Sequence, residues 1–332
     1  MKNLIIDENQ QIINAINRIN FSKYKVLFVV NSKKKLVGSI SSGDIRRAIR
    51  KKINMHDCVN KIMCKKPKYL IKNETIRKNK KYLIVLPVIN KKREIIDFIF
   101  SSIIKKKIEN SVFLMAGGKG IRLMPLTQNT PKPLLKIKGV PIIEKIIRDF
   151  KKQGFYNFII SVNYLGHKIK KYLGDGTKFK VNIIYINEKK YLGTAGSLSF
   201  LDLNKTKFPI IVANSDLISE IDYNNLINYH HKKKGDLTIC AKTKSFEMPY
   251  GEIILNNIKV KKIVEKPILH HLVNAGVYVI NKSLIKSLPI NKRKMMNDFI
   301  TLNLLKKKKI LSYPIYEKWI DIGNKLDFSK AK

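Results

Sequence analysis

Short apolar runs alternate with polar turns near the start of the 332-residue chain. The β-branched runs VLFVV (26–30) and LVGSI (36–40) flank the polar turn NSKKK, which is typical of two paired strands. The segment SSGDIRRAIR (41–50) follows directly, and its small polar residues predict a capped helix with Ser42 or Asp44 near the N-cap. The pattern therefore predicts an α/β unit.

The same pattern returns about 59 residues later, where PVINKKREIIDFI (87–99) aligns with FVVNSKKKLVGSI (28–40). An internal repeat of this kind predicts two copies of one supersecondary unit that pack together. We expect a small domain over residues 1–105. The segment SSIIKKKIENS (101–111) lacks Pro and Gly, so we expect a short helix there rather than a flexible linker.

A different pattern begins at SVFLMA (111–116), a continuous apolar run that predicts a buried strand. A glycine-rich segment follows at 117–120, and three prolines prevent a helix over the next dozen residues. The spacing differs from the Gly-x-Gly-x-x-Gly of dinucleotide sites. We therefore expect an extended loop whose backbone N–H groups can wrap a triphosphate. The residues concerned are Gly117, Gly118, Gly120, Pro125, Pro131 and Pro133.

The net charge of +43 would suit a nucleic-acid partner, but the sequence does not favour one. The lysines are spread along the whole chain, in the company of Ile and Asn, and form no single basic segment. We interpret the charge as a compositional bias and expect no specific nucleic-acid binding. It should still attract anionic substrates in a salt-dependent way.

Other bulk features indicate a cytoplasmic protein of two domains. No run of eighteen apolar residues is present, which predicts no membrane span, and the N-terminus is acidic where a signal peptide would be apolar. Three cysteines without metal-ligand spacing fit reduced thiols.

The stretch from Gly117 to Leu134 resembles the signature of the sugar-1-phosphate nucleotidylyltransferases, Gly-Gly-x-Gly-x-Arg-Leu-x-Pro-Leu-Thr-x-x-x-Pro-Lys-Pro-Leu. The resemblance continues in the family's order to about residue 328. It implies one domain over residues 106–332, with a Rossmann-like mixed sheet and helices on both faces, of the glycosyltransferase-A kind. The later motifs are LGTAG (192–196), ANSD (213–216), VEKP (264–267), VNAGVYVI (273–280) and WIDIG (319–323).

The resemblance assigns four catalytic roles around the phosphates. Arg122 would hold the leaving pyrophosphate and Lys132 would contact the α-phosphate, since both cations suit phosphate oxygens. Asp216 and Asp321 would bind Mg²⁺, a hard cation that prefers oxygen ligands. Because both aspartates end predicted strands, and the carboxyl ends of strands in an open α/β sheet face one crevice, we expect them to meet there.

The remaining contacts implied by the resemblance involve the substrates. Lys266, the fifth catalytic residue, would bind the sugar phosphate, while Glu265 and Asn274 would contact the sugar. The family commonly has glycine where Ser215 stands, which affects only local geometry. The other implied binding residues are Gly117, Gly118 and Gly120 for the phosphates, Leu192, Gly193, Thr194, Ala195 and Gly196 for the base, and Tyr250 and Gly251 for the sugar pocket.

The stretch Gly38–Asp44 resembles the cystathionine-β-synthase-type (CBS) module, which implies a small α/β pair. In that family a hydroxyl and an aspartate bind the phosphate and ribose of an adenine nucleotide, here Ser41 and Asp44. The second copy has Asp97, Phe100 and Ile103 at the positions of the glycine, Ser41 and Asp44, so we expect it to bind no nucleotide. A purely structural pair stays open. Such pairs often dimerise, which predicts a homo-oligomer.

The function these resemblances imply is Mg²⁺-dependent transfer of a nucleotide from an NTP to a sugar 1-phosphate. The segment 192–196 and the CBS pair resemble mannose-1-phosphate and glucosamine-1-phosphate guanylyltransferases, the latter in legionaminic-acid synthesis, so GTP is favoured. The same transfer with UTP, dTTP or CTP is an alternative, and a catalytically silent nucleotide sensor is another. We expect His230-His231 and His270-His271 to be solvated pairs, and Trp319 to be a core residue that fixes the Asp321 strand.

Overall fold

A computed structural model describes residues 2–22, 24–71, 85–100 and 107–331. The chain forms two compact units, Met1–Lys105 and Lys106–Lys332. Among the helices that lie in the described ranges, none combines the length and apolar character needed to cross a membrane.

The N-terminal unit contains two three-stranded sheets of the same topology. In each sheet the first strand runs parallel to the second, and the second runs antiparallel to the third. A bulge falls at Val29/Val30 in one sheet and at Val88/Ile89 in the other, so the repeat in the sequence corresponds to a repeat in the backbone. The elements are β1 (Ile5–Asp7), α1 (Ile12–Phe21), β2 (Val26–Val30), β3 (Leu36–Ser41), α2 (Ser42–Arg50), β4 (Leu70–Ile71), β5 (Val85–Ile89) and β6 (Ile95–Phe100).

A shared apolar cluster joins the two sheets of this unit. The rings of Phe28 and Phe98 lie 5.6 Å apart, and the Leu36 N–H donates to the Arg93 carbonyl at 2.8 Å. Ile103, predicted to replace the aspartate in the second copy, lies outside the described residues.

The predicted start of α2 is confirmed and a second local prediction needs correction. The N-cap of α2 is Ser41, next to Ser42, and the carboxylate of Asp44 reaches back to accept from the Ser41 N–H at 2.8 Å. In the predicted helix over 101–111, residues 101–106 lie outside the described residues and 107–111 are not helical. Ile108 forms a parallel bridge with Phe155 instead.

The C-terminal unit is built on a seven-stranded mixed sheet with the order β11-β10-β7-β12-β17-β14-β18. Neighbouring strands are parallel except that β17 runs antiparallel to β12 and β14. The strands of the sheet are β7 (Val112–Ala116), β10 (Asn157–Val162), β11 (Asn182–Asn187), β12 (Ile210–Asn214), β14 (Leu237–Glu247), β17 (Ile268–Ile280) and β18 (Ile310–Ile315).

Helices cover both faces of this sheet, because residues along each central strand alternate between two cores. Val112 and Leu114 belong to one core and Phe113 to the other. The first core takes the apolar faces of α3 (Ile142–Lys152), α4 (Gly166–Leu173) and α6 (Tyr223–Lys233), together with Phe328 of α9 (Lys325–Ala331); the second takes those of α5 (Gly193–Gly196), α7 (Lys282–Lys286) and α8 (Met296–Leu305). The expected mixed α/β sheet is therefore confirmed.

Three two-stranded sheets accompany the main sheet in the described part of this unit. The carboxyl ends of β7, β10, β11 and β12 lie at one edge because these strands are parallel. The small sheets pair β8 (Lys136–Ile137) with β9 (Val140–Pro141), β13 (Leu217–Ser219) with β19 (Trp319–Asp321), and β15 (Glu252–Asn256) with β16 (Lys259–Val264).

One histidine pair does not have the expected solvation. His230 is fully buried: its Nδ1 lies 2.8 Å from the Thr238 hydroxyl and its Nε2 lies 3.0 Å from Asn281 Oδ1. Residues on β14 and after β17 supply these partners, so the pattern of α6 alone could not reveal the burial. His231, His270 and His271 are exposed, as predicted.

Candidate active site

The glycine-rich loop follows β7, and two of its glycines are required by close contacts. A Cβ on Gly117 would lie 2.9 Å from Glu188 Oε1. Gly120 has a φ of 65°, and a Cβ there would lie 3.1 Å from Lys132 Cβ. The buried Thr127 hydroxyl closes the loop by donating to the Gly120 carbonyl at 2.9 Å. The loop is therefore folded tightly against the start of the Pro-Lys-Pro segment.

The far half of the loop is held by the connection after β10. The Tyr164 hydroxyl donates to the Gln128 carbonyl at 2.7 Å, and Lys168 Nζ donates to the Asn129 carbonyl at 2.5 Å. A 3₁₀ turn over Lys132–Leu134 then directs the buried Lys132 inward. These anchors fix the position of a cation that the sequence predicted to contact phosphate.

Lys132 and Asp216 form an ion pair. Asp216 follows the carboxyl end of β12, and Ser215 beside it donates its hydroxyl to the Met115 carbonyl of β7 at 2.6 Å. Ser215 thus fits where the family commonly has glycine. Oδ1 of Asp216 is buried and has no hydrogen-bond partner among the residues that the structure describes. A buried acceptor without a partner is costly, so this oxygen is suited to a ligand.

Asp321 lies next to this aspartate, although the two residues are 105 positions apart in the sequence. In the small sheet of β13 and β19, Leu217 pairs with Asp321, and the Ile322 N–H donates to the Asp216 carbonyl at 3.1 Å. The prediction that both aspartates end strands of the main sheet is wrong in one respect. Asp321 ends a strand of this separate sheet, whereas we expected both to end strands of the main sheet. Burial raises the pKa of Asp321, and the charge of Asp216 raises it further.

Arg122 completes this group of four side chains. A Cβ on Gly323 would lie 3.3 Å from its Nη1, so the guanidinium lies against the backbone just after Asp321. The charges of Lys132 and Arg122 both lower the pKa of Asp321, against the effect of burial. The structure therefore brings together Arg122, Lys132, Asp216 and Asp321 at one edge of the sheet.

A cavity of about 150 Å³ opens beside Asp321. Of the predicted sugar contacts, Asn274 lines it, and its Nδ2 donates to the Tyr278 hydroxyl at 2.8 Å. Trp319 also lines the cavity, and its indole N–H donates to the Ala275 carbonyl at 2.9 Å. Trp319 is half-buried: it packs against the core, as expected, and also forms a wall of the cavity.

Several cavity residues and one buried carboxylate were not among the predicted site residues. Asn214 and Tyr278 line the cavity from β12 and β17; they lie within the motifs ANSD and VNAGVYVI, but only Asp216 and Asn274 of those motifs were assigned to the site. Glu188 is buried beneath Gly117, follows β11, and accepts a hydrogen bond from the Leu192 N–H at 3.0 Å. Burial raises its pKa. Its place at the carboxyl end of a strand, four residues before the LGTAG motif, was the available signal.

The LGTAG segment packs closely on the residues that precede α8. A Cβ on Gly193, whose φ is 79°, would lie 2.5 Å from the Lys294 carbonyl oxygen, and one on Gly196 would lie 2.6 Å from that of Lys292. The Thr194 hydroxyl accepts from the Met296 N–H at 2.7 Å. Leu192 and Ala195 are buried. Packing accounts for these residue types, and their predicted contact with the base stays a prediction.

Four predicted substrate residues gather at the base of the β15–β16 ribbon, outside the cavity lining. Tyr250 and Gly251 precede β15, Glu265 and Lys266 follow β16, and a Cβ on Gly251 would lie 3.1 Å from Glu265 Oε2. Lys266 has a φ of 44° immediately before Pro267.

Ser41 and Asp44 of the N-terminal unit are bonded to each other. The Ser41 hydroxyl donates to Asp44 Oδ2 at 2.6 Å, and Arg47 forms an ion pair with Asp44 Oδ1. These contacts account for the serine and the aspartate as a helix cap, and their predicted role toward an adenine nucleotide stays a prediction.

The two aspartates suit Mg²⁺ as donors. Within the residues that the structure describes, no group of three or more His, Cys, Asp or Glu side chains could hold a metal ion. Mg²⁺ commonly takes only one or two carboxylates from a protein and the rest of its ligands from substrate phosphates and water. The unpartnered Oδ1 of Asp216 beside Asp321 fits that pattern.

Comparison with known proteins defines the class of this site. The sequence model of the family described as "Nucleotidyl transferase" matches residues 111–332, about two thirds of the chain. The chain belongs to the nucleotidyl transferase family. The mannose-1-phosphate guanyltransferase of Pichia angusta is 32% identical over 224 residues, covering 65% of this chain and 61% of that protein. This chain thus spans about six tenths of the length of the curated relatives it matches.

Solved structures also resemble the C-terminal unit of this chain. HddC from Yersinia pseudotuberculosis matches with a TM-score of 0.52 and 27% identity, over 67% of this chain and 97% of HddC. The same protein complexed with GMP-PN matches with a TM-score of 0.52 and 25% identity, over the same shares of the two chains. These matches, like the family match, support a nucleotidyl transferase fold for the C-terminal unit.

Proposed function

We propose that this protein transfers a nucleoside monophosphate from GTP to a sugar 1-phosphate, giving a nucleotide sugar and pyrophosphate. The observation that carries the proposal is the group formed by Arg122, Lys132, Asp216 and Asp321 at the carboxyl edge of the sheet, beside a cavity. This group supplies two cations and two carboxylates, which is what transfer between two anionic substrates requires.

In the proposed reaction, a phosphate oxygen of the sugar 1-phosphate forms a bond to the α-phosphorus of the triphosphate. The bond from that phosphorus to the oxygen bridging to the β-phosphate breaks, and pyrophosphate leaves with the electron pair. No protein nucleophile is required, so catalysis consists of positioning and charge neutralisation.

Each residue of the group has a role in that scheme. Arg122 would bind the pyrophosphate oxygens through its planar guanidinium. Lys132 would exchange its ion pair with Asp216 for the α-phosphate, where negative charge increases. Asp216 and Asp321 would hold Mg²⁺, which when bound neutralises charge on the phosphate oxygens. Lys266 and Glu265, at the base of the ribbon, would bind the sugar phosphate and the sugar.

The choice of base and sugar rests on relatives. The Pichia angusta relative is named a mannose-1-phosphate guanyltransferase, and HddC was solved with GMP-PN, so we infer a guanine nucleotide. Mannose 1-phosphate and glucosamine 1-phosphate are the first sugars to test, and the product would serve as a precursor for surface glycans or legionaminic-type acids.

The test is pyrophosphate release by the full chain with Mg²⁺. GTP, UTP, dTTP, CTP and ATP would each be offered with mannose, glucosamine and glucose 1-phosphates. We expect release with GTP and one of these sugars. Release with another base would refute the guanine assignment but keep the reaction. Absence of release throughout, together with tight binding of a nucleotide, would instead support a silent sensor.

A further inference from the structure

Two helix ends meet on the C-terminal unit and form a basic surface. The Asp236 N–H donates to the Lys309 carbonyl at 2.9 Å, and the Lys309 N–H donates to Asp236 Oδ2 at 2.9 Å. These bonds join the residues after α6 to those after α8. Every lysine in the two segments is exposed: Lys232, Lys233, Lys234, Lys306, Lys307, Lys308 and Lys309.

Exposed leucines lie directly beside these lysines. The last turns of α8 present Leu302, Leu304 and Leu305, which are 40%, 53% and 77% exposed. The same helix buries Phe299 and Ile300 against the sheet, so the leucines are additional to its packing face. We call these three leucines and the seven lysines the lysine–leucine patch.

We propose that the lysine–leucine patch binds the surface of an anionic phospholipid membrane. Adjacent lysines are attracted to anionic lipid headgroups, each contributing about a fivefold gain in affinity at low salt. Leucines at the edge of a basic helix can enter the headgroup boundary and add apolar contact. A nucleic-acid backbone would use the lysines but leave the three leucines in water, so the combination favours a lipid surface.

The patch lies at the opposite end of the sheet from the candidate active site. Strands β14 and β18 are parallel, and both begin at the patch, with Leu237 paired to Ile310. After the six residues of β18, about 20 Å at the usual rise per residue, the chain continues to Trp319 and Asp321. A membrane bound at the patch therefore leaves the Asp321 edge open to soluble substrates.

The experiment is co-sedimentation of the full chain with vesicles of phosphatidylcholine containing about 30% phosphatidylglycerol, in about 0.1 M salt. The test variant replaces Lys306, Lys307 and Lys308 by Gln. The matched control replaces Lys33, Lys34 and Lys35 by Gln. These are also three consecutive exposed lysines, and the central one has a positive φ, as Lys307 does. A Leu305→Ser variant tests the apolar part.

We expect the wild-type protein to bind these vesicles and the Lys306/307/308 variant to need at least about tenfold more lipid, allowing for screening of the charges. The control should stay within about twofold of wild type, and Leu305→Ser should lie between the two triple variants.

Equal losses in both triple variants would overturn the proposal, since binding would then follow net charge alone. A further variant, Ile258→Ser, changes a 94% exposed side chain at the tip of the β15–β16 ribbon. Binding lost in this variant but kept in the Lys306/307/308 variant would also overturn the proposal, because it would assign the contact to that tip. Binding of a random duplex, but not of vesicles, through the same lysines would assign the patch to nucleic acid.

Discussion

Asp44 in the N-terminal unit and Asp216 in the C-terminal unit are both aspartates paired with a cation, yet their surroundings differ. Asp44 accepts bonds from the Ser41 N–H and hydroxyl on one oxygen and pairs with Arg47 through the other. Asp216 pairs with Lys132 through one oxygen, and the described part of the chain offers no partner to the other. A carboxylate with both oxygens engaged stabilises the fold, whereas one with a buried, unpartnered oxygen is prepared for a ligand.

The partners of the two aspartates also differ in sequence distance. Those of Asp44 lie three residues away on either side, so a helix-capping pattern explains them without any ligand. Lys132 is 84 residues from Asp216. No local motif such as a helix cap explains the pairing of Lys132 with Asp216. Its interpretation as part of a substrate-binding site is strengthened accordingly.

The largest expected effect comes from replacing the carboxylate with the unpartnered oxygen. Asp216→Asn should lower the rate of nucleotidyl transfer by about a thousandfold, because it removes the charge that would hold Mg²⁺. The free energy of unfolding should change by less than about 1 kcal/mol, since Asn keeps the shape and Asp321 remains beside Lys132. Rates come from pyrophosphate release and stability from urea unfolding. Wild-type rates in this variant would remove Asp216 from the site.

Replacing Glu188 tests whether a carboxylate close to the glycine-rich loop acts in catalysis or only supports the fold. It lies beneath the phosphate loop, but it is buried and accepts the Leu192 N–H. Glu188→Ala should lower the free energy of unfolding by about 2–3 kcal/mol, because that N–H loses its acceptor. Glu188→Gln should cost less than about 1 kcal/mol, because the amide oxygen of Gln can still accept the Leu192 N–H. Urea unfolding of both variants measures this, and equal losses would contradict the supporting role.

Replacing Asp44 should lower stability and leave the transfer rate nearly unchanged, the opposite of what is expected on replacing Asp216. Asp44→Ala should lower the free energy of unfolding by about 1–2 kcal/mol, since the start of α2 loses its cap and Arg47 loses its partner. The rate of nucleotidyl transfer should stay within about twofold of wild type in the absence of adenine nucleotides. Urea unfolding and pyrophosphate release measure the two effects. Calorimetry with AMP and ATP then checks the predicted nucleotide site, because any binding that occurs should weaken in this variant.

The contrast between local and distant partners also explains what the sequence could predict. The paired strands β2 and β3 and the buried strand β7 follow from local apolar patterns, and the glycine loop follows from a motif. The order of the sheet and the pairing of β13 with β19 depend on segments about a hundred residues apart, so the sequence predicted that Asp216 and Asp321 meet but not how. Trp319 was assigned to the core alone, because the pattern of one strand does not show that a cavity lies beside it.

The burial of His230 could not be predicted either, because its partners are distant in sequence. Its effect on the pH dependence of stability is the smallest of those expected here. Burial lowers the pKa of His230, and His231 adds to this, while the Asn281 hydrogen bond and the charge of Asp236 oppose it. Asn281 Nδ2 donates to the Gly235 carbonyl at 2.8 Å, so its Oδ1 faces the histidine and accepts from Nε2–H, which leaves Nδ1 to accept from Thr238. The buried ring is thus fully bonded in its neutral form.

This arrangement predicts how stability depends on pH. Above the ordinary histidine pKa of about 6.5, the folded and unfolded chains both carry neutral His230, and its stabilising effect is fully present. Below it, the unfolded chain binds a proton that the folded chain does not, so the free energy of unfolding falls by at most about 1.4 kcal/mol per pH unit until the lowered pKa is reached. Urea unfolding at about pH 7.5 and about pH 5.5 should show this loss in wild type and in a variant of the exposed neighbour, His231→Gln. It should be smaller in His230→Gln, and the same pH dependence in all three proteins would mean that His230 titrates alike in the folded and unfolded chains.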